Sequence, residues 1–120
     1  MYESADFVGN DSNEIPLVCL RQAIPVKYRR RHLELREYLI QAALGIEEAS
    51  NGYRMRFQND GETIINVAEF VTLERLCCPF LRFTLDIAPG GRAVWLFMTG
   101  AEGAKAVLGQ EMGFPSDSSR

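Results

Sequence analysis

The sequence predicts an α+β fold: one domain with helices packed on a small, largely antiparallel β-sheet. Three observations predict it. Two long stretches carry apolar residues at helical spacing, two shorter regions alternate apolar and polar residues around turn signals, and the order is helix, hairpin, helix, hairpin, helix. A chain of 120 residues that is 47% hydrophobic and 24% charged can bury a single core. Residues 15–114 are read as that domain, residues 1–14 as a disordered or extended N-terminus, and residues 115–120 as a flexible tail, because neither end has a periodic apolar pattern.

Taken in order, IPLVCLR is a short strand or an extended arm carrying Cys19, and Pro25 suits a helix's first turn. Tyr28, His32, Leu35, Leu39, Ala42 and Ile46 then follow at steps of four and three, which is one helical face with Gly45 closing it. IEEASNGYRMRFQ reads as a hairpin turning at Asn51-Gly52, with Tyr53, Met55 and Phe57 inward on its second arm. ETIINVAEFVTLERLCC supplies the second helix, stopped by Pro79, which biases Cys78 away from helical angles. LRFTLDIA alternates as a half-buried strand and turns through Pro89, Gly90 and Gly91 into RAVWLFM, apolar on both faces and so central. A closing helix follows Gly100, with Ala104, Val107 and Leu108 inward.

The stretch ERLCCPF carries the chemistry. On a helix, Glu74 falls between Phe70 and Cys77 on one side and Val67, Cys78 and Val71 on the other, so a carboxylate points into apolar surroundings and needs a partner. The competing arrangement turns Ile65, Leu73 and Leu76 inward and leaves Glu74 in solvent. Three cysteines, two of them adjacent, make a poor disulfide framework, although a bridge from Cys19 to either of the pair stays open. Thiols at a helix C-terminus lack the positive field that activates a nucleophile. A soft metal supplies that charge, and Cys19, Cys77, Cys78 and His32 form a Cys3His set acceptable to zinc or another soft ion. Glu74 would itself be a ligand, accept from the imidazole N–H or pair with Arg30 or Arg31, and Glu74 and Arg31 are the expected supporting residues.

The residues ERLCCPFLRFTLDI and VWLFMTGAEGAKAVL, with Cys19, the RRRH run at residues 29–32 and GYRMRF at residues 52–57, resemble a family of small bacterial proteins sharing an E-R-x-C-C-P-F motif. The resemblance implies that Cys19, His32, Glu74, Cys77 and Cys78 recur together, which supports a shared site without naming its chemistry. Here MTG stands where LTG is more usual, and Ala101 where a proline is common.

The preferred expectation is a cytoplasmic thiol protein that takes a soft metal, a metalloid or another small thiophilic ligand. One alternative is an enzyme with Cys77 or Cys78 as nucleophile and His32 as base; another is a non-catalytic module that forms a homodimer through Leu73 and Leu76. A net charge of -3 argues against nucleic acid, despite the KYRRRH run, and no window has the length of apolar sequence that spans a membrane.

Overall fold

The computed structural model describes residues 15–114, so the expectations for 1–14 and 115–120 lie outside the described residues. A 3-10 turn at Arg21–Ala23 leads into α1 (Val26–Ala42). Pro25 caps α1, where its missing N–H leaves no helical acceptor unmatched. His32, Leu35 and Leu39 are buried in α1, but Tyr28, expected to head the same face, is 43% exposed. It lies in the first turn, at the open groove beside Pro25 and Leu76.

The helix also stops earlier than its apolar spacing suggested. Ala43 is extended and the Leu44 N–H bonds the Arg56 carbonyl at 2.7 Å, so the strand ladder captures the chain before Gly45. Ile46 therefore belongs to β1 (Gly45–Ala49), opposite Met55 of β2 (Gly52–Phe57). Ala49 pairs with Gly52, which places the two-residue loop at Ser50-Asn51, one residue before the expected turn. Gly52 is glycine for a different reason: a Cβ there would stand 2.0 Å from the Met98 carbonyl oxygen on the neighbouring strand.

Asp60 begins α2 (Gly61–Cys77), its carboxylate accepting from the Thr63 N–H at 2.9 Å. β3 (Arg82–Ile87) turns through Gly90 and Gly91, both at positive φ, into β4 (Val94–Thr99), and α3 (Ala104–Met112) closes the fold. The sheet is antiparallel throughout in the order β1-β2-β4-β3. β4 is central, as its two apolar faces require, and β3 is an edge, which leaves Ile87 exposed. Met55, Phe57, Val94, Leu96 and Met98 meet Leu35, Leu39, Val67, Phe70 and Leu108 in one core between sheet and helices. The α+β architecture is thus realised as three helices on a four-stranded sheet. Among the described residues no helix is long and apolar enough to cross a membrane.

The inward face of α2 carries Val67, Phe70, Glu74 and Cys77, while Ile65 is 66% exposed. That overturns the arrangement with Glu74 in solvent. Leu73 is buried within the chain, while Leu76 is half-buried beside the groove at Pro25 and Tyr28.

Candidate functional site

Two separate parts of the chain bring the three thiols together. The arm before α1 carries Cys19 and is pinned to the end of α2 by the Leu20 N–H, which donates to the Cys77 carbonyl at 2.7 Å. Cys77 is the last residue of α2, and Cys78 caps it at φ -121 and ψ 73. Consecutive side chains on a continuing helix would diverge by about 100°. Pro79 disfavours helical angles at Cys78, and the chain turns there, so the thiols of Cys19, Cys77 and Cys78 all lie within 4.8 Å of one another. Cys19 Sγ and Cys78 Sγ are 3.7 Å apart. All three are free cysteines; Cys77 and Cys78 are sealed from solvent and Cys19 is half-buried.

Beside them lies a buried polar network. His32 Nε2 is 2.6 Å from Glu74 Oε1, neither side chain has solvent exposure, and the imidazole stacks on Phe70 at 5.8 Å. Arg21 Nη1 stands 3.4 Å from His32 Nδ1. A guanidinium only donates, so Nδ1 is the accepting nitrogen and the Nε2–H donates to Glu74. The second oxygen of Glu74, Oε2, accepts from the Cys78 S–H at 3.3 Å. One carboxylate thereby joins the imidazole to the thiols, and the chain Arg21, His32, Glu74, Cys78, Cys19 is continuous.

Glu111, on α3, completes a second group: one carboxylate oxygen from each of Glu74 and Glu111 and a ring nitrogen of His32 lie within 4.8 Å of one another. Arg36 Nη1 reaches Glu111 Oε2 at 3.3 Å and its carbonyl at 3.1 Å, while the buried Oε1 has no hydrogen-bond partner among the described residues. Burial, then the Glu74 charge, pushes the Glu111 carboxyl up to about 8. The thiols divide in the same manner. The Cys78 S–H, when turned toward Cys77, holds that thiol down at about 7 against the effect of burial. The same pairing, burial and the Glu74 charge push Cys78 up, and burial raises Cys19. The vicinal pair thus gives up a first proton readily and retains the second.

The residues singled out from the sequence, Cys19, His32, Glu74, Cys77 and Cys78, converge in space. Two details differ from expectation. His32 stands with the carboxylates, its Nε2–H committed to Glu74, so the four residues Cys19, Cys77, Cys78 and His32 do not form one donor set. Arg31 does not join the network; one position before His32 it points away, and its half-exposed guanidinium binds Glu69 at 2.7 and 3.0 Å. Within the KYRRRH run, Arg29 also turns back, donating to the carbonyls of Ile24 and Gln22, while Lys27 and Arg30 are exposed. Arg21, Arg36 and Glu111 escaped the sequence reading. Extending the inward series Ala104, Leu108 by one step of three reaches Glu111, and one step of four from His32 reaches Arg36.

The donor set suits a soft ion. Tetrahedral zinc with bonds of about 2.3 Å to sulfur holds its sulfurs about 3.8 Å apart, close to the separation of the Cys19 and Cys78 thiols. Fold and site together define a small α+β protein with an internal thiol cluster backed by a histidine–carboxylate network. In comparisons with known proteins the chain matches no family model, no curated protein and no solved structure.

Proposed function

We propose that the protein binds a soft metal or metalloid ion through Cys19, Cys77 and Cys78. The observation that carries this reading is the meeting of three thiols, one of them 59 residues from Cys78 in sequence, beside a buried carboxylate. Thiolates select soft ions, and an ion in this position replaces the thiol protons. Glu74 Oε2 already accepts from Cys78, so it is placed to take that proton or, for a four-coordinate ion such as zinc, to become the fourth donor. His32 then acts by holding the other oxygen, the usual way a neighbouring residue orients a metal ligand. The five residues are also those that the E-R-x-C-C-P-F resemblance links.

The nucleophile reading has less support. Cys77 and Cys78 are closed to solvent, and the His32 nitrogen facing the site hydrogen-bonds Glu74, where a base would need a thiol.

Reduced protein should retain one zinc, copper(I) or mercury(II) ion in native mass spectrometry and protect all three thiols from alkylation. Serine at position 19, 77 or 78 should each weaken binding, and Glu74→Gln should weaken it about 10- to 100-fold, with circular dichroism confirming that each variant is folded. Three freely reacting thiols together with no retained ion would overturn the proposal.

A further inference from the structure

Three aliphatic side chains stand out of the fold on the outer side of α1 at intervals of seven residues: Val26 at 73% exposure, Leu33 at 40% and Ile40 at 38%. Leu44 continues the line just past the helix. Seven residues are almost two helical turns, so these side chains form a narrow ridge opposite the buried His32, Leu35 and Leu39. Such a strip supplies one of the two positions per heptad along which paired helices pack, the other being held here by Arg29 and Arg36.

The charges beside the ridge identify what fits it. Arg30 and Glu37 are both exposed, are themselves seven residues apart, and lie on the same flank. Among the described residues Arg30 makes no ion pair, and Glu37 contacts only Gln41, at 3.4 Å. On the other flank Arg29 and Arg36 are turned inward to the Ile24 carbonyl and to Glu111, which draws both guanidinium groups back from the ridge. In an antiparallel helix pair, residues on the same flank face each other. Rotating one α1 onto another about an axis at Leu33 sets Leu33 on the partner's Leu33 and Val26 against the partner's Ile40. The same rotation brings Arg30 to the partner's Glu37, twice by symmetry. A parallel pair would set each charge level with its own copy.

We propose that this ridge is the contact between two copies of the chain, α1 against α1, antiparallel about a two-fold axis at Leu33. With three or four apolar side chains from each copy the contact is small, so association is weak and concentration-dependent. The thiol cluster lies on the inner side of α1, and dimerisation does not depend on an ion.

The test is sedimentation equilibrium of the full chain in reductant across a wide concentration range. Wild-type mass should rise from one chain of 13.5 kDa toward two. Leu33→Glu, at a partly exposed position that leaves the core intact, should stay monomeric with an unchanged circular dichroism spectrum. Arg30→Glu should raise the dissociation constant about tenfold, by replacing two attractions with two repulsions. The double variant Arg30→Glu with Glu37→Arg should restore it. A wild-type protein that is monomeric at every concentration, a Leu33→Glu dimer as tight as wild type, or a double variant no tighter than Arg30→Glu overturns the proposal.

Discussion

Glu74 and Glu111 show how two carboxyl groups in one interior come to differ. Glu74 accepts from an imidazole N–H and a thiol S–H, which supports a buried carboxylate on both oxygens. Glu111 has Arg36 on one oxygen and no partner among the described residues on the other. Its carboxyl is raised from 4.5 to about 8, so the folded protein holds a proton that the unfolded chain releases in that interval. The contribution to stability is complete below the ordinary value and is lost as pH rises through the folded one. Glu111→Gln, which cannot titrate, should therefore flatten the fall of the urea midpoint between pH 5 and 7. This window avoids Cys77, whose lowered value makes stability rise between about 7 and 9. A variant whose midpoint falls as steeply as the wild type's would show that Glu111 is not the group responsible. Glu74 was legible in the sequence because it lies between Phe70 and Cys77 on one helical face. Glu111 continues the inward spacing of Ala104 and Leu108, but its meeting with Glu74 and His32 depends on where α3 docks, which no local pattern records.

Elements were legible where the pattern was local and ambiguous where two ladders compete for the same residues. Central β4 follows from RAVWLFM being apolar on both faces, and the Cys78 cap from Pro79. Ile46 continues the spacing of α1, yet the Leu44 bond to Arg56 draws it into β1; its apolar side chain suits either element, so spacing alone does not separate them. Asn51-Gly52 has the composition of a tight turn, but the demand on Gly52 comes from Met98 on a strand more than forty residues away. Two glycines separate the local from the distant cause. Gly52→Ala drives a Cβ into the Met98 backbone and should cost more than about 2 kcal/mol in chemical denaturation, in the range of overpacked interior sites. Gly61→Ala meets nothing within 4 Å at the first turn of α2 and should stabilise by about 0.5–1 kcal/mol, the propensity difference. Equal effects at the two positions would refute the close-approach argument.

At the scale of the whole molecule, the site is assembled from distant parts of the chain: the arm before α1, α1 itself, the end of α2 and the last turns of α3. An ion bound by Cys19 and the vicinal pair therefore ties together residues 59 apart in sequence for the Cys19–Cys78 contact. The unfolded chain offers the two adjacent thiols readily, but to add Cys19 it must close a long loop. Binding that favours the native state in this way stabilises it by about 4 kcal/mol when free ion is a thousandfold above the dissociation constant. For a domain of about 100 residues that corresponds to a rise in Tm of more than about 10 °C. Zinc, or whichever thiophilic ion binds most tightly, should produce that rise in reduced wild-type protein. Cys19→Ser should lose most of it, since the remaining pair is as available unfolded as folded. The two proteins should have similar midpoints without ion, because Cys19 is only half-buried on its arm. If both gain equally from the ion, the arm contributes no ligand, and the bound ion belongs to Cys77 and Cys78 with Glu74 alone.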